Sequence, residues 1–413
     1  MSSLEVLQSM MEFEIGREII GLVPHWYQSE CGPVEYSIPI GSHTARFYNH
    51  CRLTQRLGEL LERITAKTRE LPLAYFVRLP CLTDVLLESF AIEWLHIHSG
   101  TTDWATLIKY LETLARRTYE KMPVTLNMII RNGEGTGDIT QPHFQKFLDR
   151  LATSPLSYLV VDPELRLIEY GEVDWTHIKR VSSCKFYPDA LHPIYSVMEE
   201  GDLSAHLTLQ GDFIVMNKEG ILAARRRRKW KLYDVETFKD SLSYCLGSRS
   251  VGANLFEVVF DLSLRRQGAI LVYDPEHRVR EHILNPESII FSGWQGEGLP
   301  WSGLDCGQAL IAPSVQDIAI GRGVGTLRKK RRLIELACAD GAVVFDDDRL
   351  LAVGALIRSH PNAGNQLGAR TMAALSAYLW GGHPIKVSSD GDVSVYFRST
   401  NGQKQCDAVI DFL

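Results

Sequence analysis

Apolar residues recur at three- and four-residue spacing in several stretches of the first 155 positions. Leu53, Leu57, Leu60, Leu61 and Ile64 share one helical face, Leu107, Ile108, Leu111 and Leu114 another, and Phe144, Phe147, Leu148 and Leu151 a third. Between them the apolar runs Leu73–Leu79, Val124–Ile130 and Tyr158–Val161 predict buried strands. Helices alternating with buried strands mark an α/β domain, expected over residues 1–155.

The texture then changes. Gly211-Asp212 precedes the run Phe213–Met216, and Glu219-Gly220 precedes Ile221-Leu222, which predicts a small β-rich module over residues 156–245. The segment Leu159-Val-Val-Asp-Pro-Glu-Leu-Arg166 resembles Leu271-Val-Tyr-Asp-Pro-Glu-His-Arg278. Asp-Pro-Glu is good turn chemistry after any strand, so two similar turns is the plainer interpretation and a repeated hairpin the bolder one.

A third domain is expected over residues 250–413. A helix with Leu255, Val258, Val259 and Leu262 on one face leads into the strand Gly268–Tyr273, and a second helix bearing Leu333, Ile334, Ala337 and Cys338 ends in Asp340-Gly341-Ala342. Two hairpins follow: Val343–Phe345 with Leu350–Ile357, and Ile385–Ser388 with Val393–Phe397, the latter through Asp390-Gly391 with the signature of a type I′ turn. Between them Gly368-Ala369-Arg370-Thr371 opens a helix whose Met372, Leu375 and Leu379 share a face and which stops at Gly381-Gly382.

Charge narrows the partners. Lys plus Arg total 44 against 50 Asp plus Glu, a net charge of −6, so the chain as a whole is not attracted to nucleic acid or anionic lipid. No apolar run is long enough to span a membrane, and Glu5, Glu12 and Glu14 stand where a secretory signal carries positive charge; a cytoplasmic protein with no membrane partner is expected. Eight cysteines without a C-x-x-C pair predict reduced thiols and no structural zinc. The basic run Arg225–Lys231 is expected at the solvated edge of a sheet, Gly321–Thr326 as a flexible loop without the lysine of a phosphate loop, and His96 with His98 at a helix end.

Two segments could carry chemistry. Gly368, Ala369, Arg370 and Thr371 at a helix start combine free backbone N–H groups, a guanidinium and a hydroxyl, which suit a polyphosphate; taken alone, the same residues read as a cap and a surface charge. Asp340, beside the small Gly341 and Ala342, could hold Mg²⁺ or Mn²⁺ and help deprotonate a sugar hydroxyl, or simply enter a hairpin.

The order of these pieces resembles the diadenylate cyclase domain: Gly268–Val272, then Asp340-Gly341-Ala342, then Gly368-Ala369-Arg370-Thr371-Met372-Ala373-Ala374, then Val387-Ser388-Ser389-Asp390-Gly391. The resemblance spans about residues 250–400 and is closest to members with a separate N-terminal sensor-like domain. It implies a mixed-sheet α/β nucleotide-binding fold that joins two ATP into cyclic di-AMP with release of two pyrophosphates. It further implies Asp340 as the catalytic carboxylate, in metal-assisted attack of a ribose 3′-hydroxyl on the partner's α-phosphate, ATP contacts from Gly341, Ala342, Gly368, Ala369, Arg370, Thr371 and Ser388, and Mg²⁺ or Mn²⁺ at Asp340 and Asp390. The family's Arg-His-Arg segment is Arg370-Thr371-Met372 here, and its Ser-Glu-Glu is Ser388-Ser389-Asp390. A domain that binds ATP or a cyclic dinucleotide without turnover, as a sensor, is therefore the alternative. The basic run Arg328–Arg332 lies about 15 Å along a helix from Asp340, too far to replace those groups in one site. Joining two ATP requires two such domains face to face, hence a homo-oligomer.

Overall fold

The computed structural model describes residues 34–40, 43–49, 59, 63, 80–99, 101–119, 121–141, 154, 156–174, 191–227, 229–233, 235–285, 288, 333–347, 350–364, 368–401 and 404–412. The expected strand Leu73–Leu79, the helix over Phe144–Leu151, most of the helix over Leu53–Ile64, the glycine-rich segment 321–326 and the basic run 328–332 lie outside them. The chain is mixed α/β and divides into two compact units, the first containing Arg52–Val235 and the second Glu236–Leu413.

The first unit carries helices α1 (Pro80–Ser99) and α2 (Trp104–Ala115), the latter capped where the Asp103 carboxylate accepts from the backbone N–H of Thr106. Two short ribbons, β1 (Val34–Ile40) with β2 (His43–Asn49) and β3 (Thr118–Tyr119) with β4 (Met122–Pro123), stand apart from the main sheet. That sheet comprises β5 (Leu126–Ile130), β6 (Ser157–Val161), β7 (Leu167–Glu172), β8 (Leu203–Leu207), β9 (Phe213–Asn217), β10 (Gly220–Arg226) and β11 (Lys229–Leu232), in the order β11-β10-β9-β8-β5-β6-β7. Period-two alternation sorts its two faces. Leu126, Met128 and Ile130 join Trp94, Trp104, Leu107 and Leu111 in one core, whereas Ile129 and Val160 pack with Ile194 of α3 (His192–Val197). The boundary expected between residues 155 and 156 falls within this sheet, because β5 pairs with β6 on one side and β8 on the other. The change in texture along the chain is a change from helices to edge hairpins within one layer.

The second unit begins with α4 (Val235–Leu246) and α5 (Arg249–Leu264), and its sheet contains β12 (Ala269–Tyr273), β13 (Ala342–Phe345), β14 (Leu350–Ala355), β15 (His383–Val387), β16 (Val393–Asn401) and β17 (Lys404–Phe412). The order is β14-β13-β12-β15-β16-β17. Helix α6 (Ala369–Leu379) covers the face that carries Ile270, Val272, Ala342 and Val344, meeting them through Ala373 and Ala377. Both expected hairpins form. The second is not closed by a type I′ turn: the N–H of Gly391 donates to the Ser388 carbonyl, and only Gly391, at φ 92°, is left-handed, which is a four-residue turn followed by a bulge.

The two sheets share one topology. In each, two helices precede a strand that pairs in parallel with the next; that second strand forms a hairpin with a third; a helix follows; and a fourth strand returns antiparallel to the first and continues through hairpins, three in the first unit and two in the second. Laying the five-residue ladder β5–β8 on the five-residue ladder β12–β15 matches Met128 with Leu271, Leu159 with Val343 and Ala205 with Ile385.

The Asp-Pro-Glu segments form the same turn, although only the first opens a hairpin. In both, the N–H of the fourth residue donates to the aspartate carbonyl, and that fourth residue is left-handed, Leu165 at φ 63° and His277 at φ 58°. Both aspartates are fully buried. Burial alone would raise the Asp162 carboxyl, but backbone donors at Arg166 and Gly135 and the Arg166 guanidinium outweigh it and hold it below the usual carboxylate range. At Asp274 burial prevails over the backbone donors of Arg280 and Arg278 and pushes the carboxyl up.

The basic run lies at the edge hairpin β10–β11 and is solvated only in part, at the exposed Arg227 and Lys229. Arg225 pairs with Glu112 and lies over the Phe213 ring, Arg226 is buried 3.8 Å from Asp212, and Trp230 is buried with its indole N–H directed at Glu88. Alternation turns part of the run inward, where each charge meets an acid. His96 and His98 do end α1, and His98 packs edge-on against Trp94. Among the described residues the free cysteines are Cys245 and Cys338.

Candidate functional site

The starts of β12 and β13 and the ends of β14 and β15 lie together at one margin of the second unit's sheet. Ala355, Ala342, Ile270 and Lys386 stand opposite one another in successive strands, and Asp340-Gly341, Gly268 and Ser388 extend just beyond that row. The peptide at Asp340 is fixed by the residue that follows it. Gly341 has φ 101°, and a Cβ there would come within 2.4 Å of the Gly354 backbone, so only glycine lets the chain turn into β13 at this point.

Across this margin runs a cleft of about 940 Å³, at the upper end of the range for small-molecule sites. Asp340 and Gly341 line it from the entry to β13; Gly368, Ala369, Arg370 and Thr371 from the start of α6; and Ser388 and Ser389 from the turn after β15. Seven of the residues expected to bind ATP or act on it therefore meet at one cavity. Ala342 is buried one step inside, within the core of β13. Asp390 does not line the cleft: it sits exposed on the hairpin turn with its N–H directed at the Ser388 hydroxyl, so the turn carries this carboxylate past the cavity.

Arg370 is seated by Gly268. A Cβ at Gly268 would meet the guanidinium at 2.4 Å, so the missing side chain makes the berth in which Arg370 lies. Lys386 also lines the cleft, its ammonium 3.4 Å from the Thr371 hydroxyl. Sequence reasoning missed it, because strand alternation from Ser388 gives only the side on which residue 386 stands and not the helix start that it meets. Among the described residues the charged ones lining the cleft are Asp340, Arg370 and Lys386, which sum to +1 in a chain of net charge −6. At the β14 side, Leu284 and Leu356 line the cleft while remaining 54% exposed and 53% exposed. The Asn285 side chain holds these two segments together, donating to the Gly354 carbonyl and accepting from the Leu356 N–H. The cleft thus has an apolar lip at one side of Asp340 and cations at the other.

A divalent ion would find one carboxylate here, that of Asp340, and among the described residues no group of three or more His, Cys, Asp or Glu forms a ready-made cage. This donor set fits an ion that arrives with nucleotide phosphates and keeps much of its water, and it does not fit a resident site.

The matching margin of the first unit is chemically different. Counting from the shared register, Leu156 stands where Asp340 does, Ser157 for Gly341, Tyr158 for Ala342, Asn127 for Ile270 and His206 for Lys386. The Tyr158 ring lies against Gly171. His206 is buried and tied on both sides, through Nδ1 to Asn127 at 2.9 Å and through Nε2 to Ser204 at 2.9 Å. Because Asn127 donates its amide to the Ser157 carbonyl, its oxygen accepts from Nδ1–H, and Nε2 accepts from the Ser204 hydroxyl. A neutral imidazole is satisfied there, and burial lowers the His206 pKa to about 3.

No protein-family model matches the chain, and no curated protein matches it. Among solved structures, a double cysteine mutant of DacA from Staphylococcus aureus is 19% identical with a TM-score of 0.21, covering 38% of this chain and 85% of that one. A hypothetical membrane-spanning protein from Bacillus cereus is 14% identical with a TM-score of 0.23, covering 43% of this chain and 75% of that one. Likeness at this level is too slight to bear on chemistry. Among the described residues no helix is long and apolar enough to cross a membrane.

Proposed function

We propose that the C-terminal unit binds ATP in this cleft and, paired with the same unit of a second chain, condenses two ATP into cyclic di-AMP with release of two pyrophosphates. The observation that carries this reading is that Asp340 and Arg370, distant in sequence and each matching a diadenylate cyclase motif, line one cavity. In the proposed reaction, Asp340 accepts the proton of a ribose 3′-hydroxyl as that oxygen attacks the α-phosphate of the facing ATP. Arg370 holds the triphosphate in line and stabilises the charge that accumulates on the departing pyrophosphate. The apolar lip of Leu284 and Leu356 suits the flat face of a base. When bound, Mg²⁺ or Mn²⁺ would be held by Asp340 together with the substrate phosphates and would supply charge neutralisation.

The test is incubation with ATP and Mn²⁺ followed by separation of the products. Cyclic di-AMP is expected from the unsubstituted protein and at least 100-fold less from Asp340→Asn, on the order of the contribution of a general base, with ATP binding retained. The second reading, a nucleotide sensor without turnover, is favoured by Thr371 and Met372 and by Asp340 being the one carboxylate that lines the cleft among the described residues. Saturable ATP binding by the unsubstituted protein with no cyclic product would establish it instead.

A further inference from the structure

We infer that Lys386 is a second phosphate-binding cation of this cleft, acting beside Arg370 on the polyphosphate of a bound nucleotide. The inference rests on the ATP reading above and adds to it a residue that no motif marks. Lys386 is half-buried in the middle of β15, on the sheet face covered by α6. Its neighbours in the row are the buried Ile270 on one side and the buried Ser394 on the other. Neither offers a charge. Its hydrogen-bond partner among the described residues is the Thr371 hydroxyl, at the long distance of 3.4 Å, and no carboxylate among them pairs with it. An ammonium on a largely buried sheet face is costly unless an anion reaches it. Asp340 lines the same cleft without closing an ion pair on it, which leaves the cleft with a surplus cation.

Position agrees with charge. Thr371 follows Arg370 in the first turn of α6, so the contact from Lys386 to Thr371 brings the ammonium to the same helix start at which the guanidinium is seated over Gly268. Two cations from different elements, one on a helix and one on a strand, therefore flank one opening. Such a pair suits a ligand with more than one adjacent anionic group, a di- or triphosphate rather than a monoanion. The Thr371 hydroxyl accepts from the lysine and keeps its own proton to donate.

The test measures the affinity of the full chain for ATP and for adenosine by calorimetry without divalent metal. Lys386→Met is expected to lose on the order of 10- to 100-fold in ATP affinity, the value of one charge-assisted contact, while adenosine affinity changes less than about twofold. Lys386→Arg is expected to keep most of the ATP affinity, because it restores the charge at the same place. The thermal midpoint of Lys386→Met is expected to equal or exceed that of the unsubstituted protein, since a half-buried amine has been removed. ATP affinity unchanged in Lys386→Met, with normal binding by the unsubstituted protein, overturns the role of Lys386 and leaves the ATP reading standing. Equal losses for ATP and adenosine also overturn it, as they point to a fold-supporting lysine. Failure of the unsubstituted protein to bind ATP at all overturns the ATP reading and this role with it.

Discussion

Arg370 and Gly268 show how a single absent side chain builds a binding group. The guanidinium occupies the space a Cβ would take at Gly268, and what a methyl group would strike is the flexible end of a long side chain rather than backbone. Gly268→Ala should therefore fold normally yet displace Arg370, with a thermal midpoint close to that of the parent and ATP affinity reduced on the order of tenfold. Equal affinity in a folded Gly268→Ala protein would show that Arg370 does not hold the phosphates from this berth. At Gly341, by contrast, the obstacle is the Gly354 backbone, which has nowhere to go. Asp340, Arg370 and Thr371 were legible from the sequence because each belongs to a short motif with a recognisable neighbour. Lys386 was not, because it sits alone in His383-Pro-Ile-Lys-Val387 and its meaning comes from the strand beside it and the helix above it. Asp390, expected beside Ser388 and Ser389, is exposed outside the cleft lining: one residue of turn is enough to carry a side chain from the wall of a cleft out into solvent.

Among the elements, periodicity served well where it was long and one-sided. Helix α2, helix α5 and the strands β5, β6, β12 and β13 fall where the apolar spacing puts them, since each buries a face against a partner on the same unit. The common topology of the two sheets escaped notice because it resides in pairing partners and register, neither of which a linear pattern encodes. The one sequence repeat that was visible pointed to the wrong match: Asp-Pro-Glu follows β6 in the first unit and β12 in the second, strands that occupy different places in their sheets. The same margin that forms a cleft in the second unit is closed in the first by a hydrogen-bonded polar cluster, and that cluster should be felt in acid. His206 has an ordinary pKa of 6.5 in the unfolded chain and about 3 in the folded one. Between these values the unfolded chain binds the extra proton, so stability is intact above pH 6.5 and is lost as pH falls toward 3. From pH 7 to pH 5 the loss attributable to this residue is about 2 kcal/mol, at about 1.4 kcal/mol per unit. Urea unfolding followed by tryptophan emission should show that loss in the parent and a markedly shallower one in His206→Gln. Identical pH slopes would mean that the imidazole is protonated in place.

For the whole molecule, the comparison of the two margins gives the proposed reading an expected stoichiometry. Both units have the sheet on which such a cleft is built, but Leu156 and Tyr158 occupy the register positions of Asp340 and Ala342 in the first, so that unit has neither the carboxylate nor the small residue that leaves room beside it. On the proposed reading, the described residues give one chain one reactive cleft. In the proposed reaction, forming two 3′–5′ bonds between two ATP molecules takes two carboxylates on opposite sides of the pair, and the matching margin of the first unit has none at the position of Asp340. Under the proposed reaction a second copy of the chain would bring it, and the rate would be second order in protein whenever the copies dissociate. Calorimetry on Asp340→Asn, which binds without turning over, should give one ATP per chain. With the unsubstituted protein at saturating ATP, the rate per chain should fall as the protein is diluted below the concentration at which copies associate. Two ATP per chain, or a rate per chain that stays constant down to a concentration at which sedimentation finds only single chains, would mean that both halves of the reaction are housed in one molecule, and that the first unit holds nucleotide through groups other than those at the matching margin.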